Sequence, residues 1–501
     1  SSSPFIAYSI SQIESDESFE ISQDDMQDLR VISRKTWRYF EEFINHKNSY
    51  LPPDNFQEDP PNGIAYRTSP TNIGLGLMSF LAARDLGYIG THEFVERTAK
   101  TLSTMDKLER WNNHLLNWYD TRTLRPLRPR YVSTVDSGNL VCYLIAFRQG
   151  MYDYQKHPII DKKYLQGIDD TAFLASLESG IKISKLDPID VFPSDGNNSL
   201  ITWKRTLEEI TSNISGHNTR KSPWLYKLQK MITSLREELD LYFPWIDAIQ
   251  TASKNFAREA QGNPGVILHS DITNDYDNNS SFQELGFEDI KSNNAKGGGL
   301  SNRDILRLAE DAVAKIKISM GPLELAETYN KVIYEIECIM DDCKDKSISG
   351  YQWLQDLHSA IYKALGNLNA LNGKCESIIE KISSIIENTS FTPLYDQKKQ
   401  LFSIGYNLEE NRLTNSYYDL LASEARQTSY IAVAKGEVPP KHWSRLGRSI
   451  TVVDFYRGLV SWTGTMFEYL MPLILMKNYK NTLLDETYSF VVRSQKKYGK
   501  H

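Results

Sequence analysis

Between residues 20 and 48 apolar positions return at helical spacing, and Leu29, Ile32, Trp37, Phe40 and Phe43 form the face that a helix there would bury. A polar, proline-rich loop follows at 49–72, and then the helical segment "IGLGLMSFLAARDLG". The alternation repeats as the loop "NWYDTRTLRPLRPRYVSTVDSGN" (117–139) leads into "LVCYLIAFRQG". From about 151 to 390 the texture changes to amphipathic segments separated by Asn/Ser/Gly-rich gaps, the longest at 270–302. After 391 the first texture returns. There "LFSIGYN" has the pattern of one strand of a hairpin, and nearly everything else reads as helix and loop, so the expected class is all-α.

The stretch "SYYDLLASEAR" (416–426) also reads as a helix, and it poses a problem. Tyr417, Leu420, Leu421 and Glu424 would share one face at i, i+3, i+4 and i+7, which puts a carboxylate among apolar side chains. Such a group pairs with a cation, reaches out at an edge, or is held in a cleft for chemistry. Arg426 is two positions on and points elsewhere on a helix. Glu468, inside "TMFEYLMPLILM", repeats the problem with no basic residue following before Lys477. Its bland reading is a carboxylate that caps buried amides. Two such acids in one region suggest glycosidic chemistry, where paired Asp/Glu side chains bracket the bond being broken.

The loops offer what sugar binding requires, flat aromatic faces and bidentate polar groups. "NWYDTRT" supplies Trp118, Tyr119 and Asp120, "YRTSPTN" supplies Arg67 and Asn72, and "VDSGN" supplies Asp136 and Asn139. Taken singly these are turn and cap residues, and "TSPTN" and "VDSGN" are both good helix N-cap strings.

Composition removes several other readings. With 501 residues, 40% of them hydrophobic and 24% charged, the chain has the make-up of a globular protein with a sizeable core. A net charge of −7 without basic clusters argues against nucleic acid as a partner. Four scattered cysteines, with no C-x-x-C pair, suit a reducing compartment and neither a disulfide framework nor a zinc site. The longest apolar run, 466–476, is about half of the roughly 20 residues a membrane span needs. "GLG" (74–76), "KGGG" (296–299) and "DITNDYDNN" (271–279) lack the spacing of dinucleotide, phosphate and calcium loops, and no G-x-S-x-G or H-E-x-x-H is present. No cofactor and no metal is called for. Both ends look cut, as in a piece of a longer chain.

Blocks such as "NWYDTRTLRPLRPRYVSTVDSGNL" and "SYYDLLASEARQTSYIAVAKGEVP" resemble the central region of bacterial cyclic β-1,2-glucan synthases. The likeness covers roughly 30–150 and 391–490, and the middle matches only in helical character. It implies an (α/α)6 toroid similar to endo-β-1,2-glucanases, incomplete at its C-terminus. In that division 1–30 is an N-terminal extension, 31–150 the first part of the toroid, 151–390 a large helical insertion decorating the outside, and 391–501 the second part with the catalytic helix.

The implied activity is that of a retaining transglycosylase, which cleaves linear β-1,2-glucan and closes it into a ring. Glu424 of the S-E-A-R motif would be the nucleophile, with a second carboxyl about 5–5.5 Å away as acid/base. That second glutamate belongs, in the family, to a W-G-I-S-E-S motif that does not occur before the sequence stops at "YGKH". Tyr417, Tyr418 and Asp419 join the substrate-contacting candidates, with Trp462 and Glu468 in the cleft wall. The resemblance also implies glycosyltransferase and phosphorylase-like regions in the same membrane-embedded polypeptide, at the cytoplasmic face of the inner membrane. An inverting β-1,2-glucanase and a non-catalytic glucan-binding scaffold are the alternatives.

Overall fold

The computed structural model describes residues 21–180, 183, 185–216, 222–251, 300–453 and 456–500. The first twenty residues and most of the 270–302 gap, with "DITNDYDNN" and "KGGG", therefore lie outside the described residues. The described chain is mostly helical, with short strands that tie its loops together. No helix among the described residues is long and apolar enough to cross a membrane.

The centre is built on two helices that are apolar on nearly every side, as a helix enclosed by others must be. These are α2 (Pro70–Asp85) and α4 (Thr134–Tyr154), which pack against each other. Each start is written in the sequence. Ser69 accepts from the amide of Asn72 with Pro70 in the first turn, and Ser133 accepts from the amide of Asp136. In "VSTVDSGN" the cap is thus Ser133, and Asp136 lies one turn inside the helix rather than at its cap.

Helix α1 (Gln23–Phe43) precedes them, and its face differs from the one expected. Trp37 is buried, but Leu29 and Ile32 are 49% and 59% exposed. The side turned inward carries Arg30, paired with Asp170, and Arg34, which pairs with Glu41 and lies over Trp224. Paired arginines took positions the apolar pattern had assigned elsewhere.

The residues after 150 form α5 (Lys163–Ser179), α6 (Asn197–Ser215), α7 (Pro223–Tyr242), α8 (Asn302–Val313), α9 (Pro322–Asp342) and the long α10 (Ser349–Asn388). They do not decorate the outside. Helix α10 packs on α4 and on α3 (Thr91–Met105), and its Leu354, Leu365 and Ile382 belong to one apolar cluster that runs from Trp37 to Val438. A 40-residue helix with a continuous buried stripe gains more by joining that core than by covering a finished surface.

Two further expectations change in the last block. "LFSIGYN" is two strands in different sheets, Leu401–Ser403 (β5) beside Tyr395–Asp396 (β4), and Gly405–Asn407 (β6) beside Tyr131–Ser133 (β3). Residues 416–425 form no helix. Tyr417–Tyr418 (β7) pairs with β5, a turn follows, and helix α11 begins only at Arg426 and runs to Ala434. The i, i+3, i+4 spacing was real, but strand pairing of the two tyrosines outweighed it.

Candidate functional site

Glu424 occupies the turn that delivers the chain from β7 into α11. Its carbonyl accepts from the amide of Gln427 at 3.1 Å, and Ser423 Oγ accepts from the amide of Ala425 at 3.2 Å. The turn leaves the side chain half-buried, with Ser423 Oγ 3.4 Å from Oε2. Burial raises the carboxyl pKa, and the nearby charges of Glu468 and Asp136 add to the rise. Three carboxylates from distant parts of the chain thus act on one spot. The phenol of Tyr418 shares it, its pKa raised first by burial and then by Glu424 and Asp136.

Asp136 is held by a chain of hydrogen bonds. Thr71 Oγ1 donates to Asp136 Oδ1 at 2.6 Å, Asn139 Nδ2 donates to Thr71 Oγ1 at 3.2 Å, and Gln427 Nε2 donates to Asn139 Oδ1 at 2.9 Å. The Asn117 carboxamide, oriented to pair donor with acceptor, donates to Asp136 Oδ2 at 3.1 Å and accepts from Trp118 Nε1 at 3.2 Å. Beside Trp118 lies Arg67, whose guanidinium is 4.7 Å from the indole centroid and pairs with Asp54. Asn72 Nδ2 also reaches Asp54, at 3.3 Å. Arg67, Asn72 and Trp118 therefore meet around Asp54, next to the Asp136 network.

Glu468 takes the bland reading. It is nearly buried, and it accepts from Ser461 Oγ (2.5 Å), from Thr463 Oγ1 (2.9 Å) and from the amides of Thr463 and Gly464. Burial alone would raise its pKa, but these donors outweigh it and hold the carboxyl below the usual range. It shapes the 461–464 loop and places Trp462, 49% exposed, edge-on to Tyr418 at 6.3 Å between ring centroids.

Several candidates have partners within the fold. Tyr119 is fully buried, donating to the carbonyl of Glu109 and accepting from the amide of Leu116. Asp120 closes its own turn by accepting from the amides of Arg122 and Thr123. Tyr417 donates to Asp396 at 2.7 Å, on the side of β7 opposite Tyr418. Asp419 is exposed and enters only through its carbonyl, which accepts from the amide of Gly447. Arg426 is buried and donates to Tyr488 and to the carbonyl of Tyr469, so it anchors α11.

Sequence reasoning missed Asp54, Thr71, Asn117, Gln427 and the Ser461/Thr463 pair. Thr71 and Gln427 sit inside the quoted motifs, but only pairing across more than sixty positions gives them a role.

A family described as a protein of unknown function (DUF3131) matches residues 31–152. The cyclic β-(1,2)-glucan synthase NdvB of Rhizobium meliloti (strain 1021) is 30% identical over 99% of this chain, which spans 14% of the length of that relative. The resemblance to cyclic β-1,2-glucan synthases therefore extends along nearly the whole chain, the 151–390 stretch included. Among solved structures, the endo-β-1,2-glucanase of Chitinophaga pinensis is 17% identical, with a TM-score of 0.24 over 32% of this chain and 38% of that one. The β-1,2-glucanase of Parabacteroides distasonis is 19% identical, with a TM-score of 0.23 over 33% of this chain and 23% of that one.

Proposed function

We propose that this chain is the cyclisation region of a cyclic β-1,2-glucan synthase, a retaining transglycosylase that cuts linear β-1,2-glucan and joins the new end to a hydroxyl of the same chain. The observation that carries the proposal is Glu424, a half-buried carboxyl on a turn, in no salt bridge among the described residues, which feels the charges of Asp136 and Glu468 and lies near Tyr418, whose ring meets that of Trp462. Substrate class comes from the relative named above. In this reading the completed architecture is an (α/α)6 toroid, of which 31–150 and 391–501 form parts.

A retaining pair needs one carboxylate that attacks the anomeric carbon and a second carboxyl that moves the proton. We assign Glu424 the nucleophile role that the resemblance implies. Glu468, saturated with donors, cannot exchange a proton cheaply and stays in the cleft wall with Trp462. Asp136, with Asn139 behind it, would bind substrate hydroxyls, and Arg67, Asn72 and Trp118 would extend the cleft along the Asp54 side. Glycosyltransferase and phosphorylase-like regions of the same polypeptide would supply and trim the glucan at the cytoplasmic face of the inner membrane.

The test is product mass after incubation of linear β-1,2-glucan with this chain and with the longer polypeptide that carries it. A product lighter than its linear counterpart by one water establishes cyclisation. Shorter linear products alone would replace the proposal with a glucanase, and binding without turnover by either protein would replace it with a scaffold.

A further inference from the structure

Against the 461–464 loop lies a cavity of about 360 Å³. The proposed cleft does not use it. One wall is Trp462 and Thr463, and the other is the last turns of the helix Leu483–Tyr498 (α12), with Ser494 and Gln495. The floor is Tyr469 and Phe490. Gln495 Nε2 donates to the carbonyl of Gly464 at 3.1 Å, which fixes the wall on α12 to the loop.

The chemistry of this lining is selective. None of its side chains is charged, so nothing in it offsets the desolvation of an anion or a cation. The hydroxyls of Ser461, Thr463 and Ser494 donate within the protein, as does the amide of Gln495, so the lining offers hydroxyl oxygens as acceptors beside an aromatic face, a set that can receive the hydroxyls of a neutral polyol with one apolar face. The volume falls within the range of small-ligand sites. The loop that forms its wall is also the loop whose Ser461 and Thr463 hold Glu468, and whose Trp462 abuts Tyr418.

We propose that the cavity is a second, remote glucan subsite, taking a pyranose residue of the same chain whose linkage is processed at Glu424. The inference rests on the β-1,2-glucan reading above. Such a subsite holds the far part of a long chain while the near part reacts, and it contributes to affinity only when the ligand is long enough to span both places.

The experiment measures binding of a β-1,2-linked disaccharide and of a long linear β-1,2-glucan by calorimetry, in the Glu424→Gln background to prevent turnover. Ser494→Tyr fills the cavity from α12. The expected result is about a tenfold loss of affinity for the long glucan with the disaccharide unaffected. Equal losses for both ligands, or none for either, overturn the remote subsite. Should Ser494→Tyr lose its cooperative thermal transition, Gln495→Ala reads the same length dependence by freeing the cavity wall from Gly464. If the unsubstituted chain binds neither ligand, the glucan reading fails and the subsite with it. If it binds both and the substitutions act without length dependence, only the subsite fails.

Discussion

Gln427 Nε2 donates to Asn139 Oδ1 at 2.9 Å, and the two residues are 288 positions apart. The bond fixes α11 against α4 one turn from Glu424, and through Thr71 it continues to Asp136. The placement of Glu424 relative to Asp136 is thereby tied to Gln427 and Asn139, which hydrogen-bond to neither carboxylate.

Replacing Gln427 with Leu should show this. Asn139 Oδ1 would lose its donor in a buried place, at a cost of about 1–3 kcal/mol. Denaturant unfolding should show that loss. Turnover measured well below the melting temperature should fall as well, because Glu424 is no longer held in register.

The helix contact beneath that bond depends on Gly138. A Cβ there would lie 1.8 Å from Thr428 Oγ1 and 2.8 Å from Thr428 Cα. Gly138→Ala should destabilise by about 1–3 kcal/mol or more. Adding Thr428→Ala should not restore stability, because the backbone of α11 is itself in the way. Thermal denaturation of the single and double variants decides the point.

Glu424→Gln should lower transfer on linear β-1,2-glucan by at least roughly 10²–10⁴-fold while leaving the fold intact. With an activated leaving group, an acid/base variant should keep its first step and lose the second, whereas a nucleophile variant loses both. Pre-steady-state release of the leaving group separates the two roles. Stability gives an independent sign. Because the folded carboxyl has a raised pKa, the native state binds more protons, and stability is lost as pH rises above the ordinary carboxylate value. The variant should therefore be the more stable protein at neutral pH, with the difference closing in acid.

Glu238, on α7, sets a second pH dependence far from the cleft. It is buried and accepts from the amide of His92 at 3.0 Å at the start of α3. Burial pushes its carboxyl up to about 7, against the opposing pull of Arg84. The native state then holds a proton that the unfolded chain has released, so stability falls as pH rises from the ordinary carboxylate range through about 7. Glu238→Gln, which keeps the acceptor without the charge, should flatten that decline. Urea titrations at acid and at slightly alkaline pH would show it.

Elements with strong local signals were legible in the sequence. Ser69 and Pro70 announce α2, and the run from Leu140 to Phe147 announces a helix enclosed on all sides. The site was legible in part. Glu424 and Glu468 stood out as carboxylates in a poor local context, while Asp136, Tyr119, Asp120 and Tyr417 drew attention as polar or aromatic loop residues, and the last three hold turns and strands together. A loop tyrosine that binds a sugar and one that satisfies a carbonyl look alike until the partner is known.

The sequence by itself determined that this chain is helical, where its caps fall, and which carboxylates lack a local reason to be where they are. Those properties depend on neighbours within a few residues, which spacing and side-chain type describe. The tertiary structure alone decided that 416–425 is a strand and turn rather than a helix, that the described helices between 151 and 390 belong to the core, and that Glu468 is saturated while Glu424 is not. Each of these is settled by groups tens to hundreds of positions away, competing for the same hydrogen bonds and the same buried volume, and no local pattern ranks such competitors.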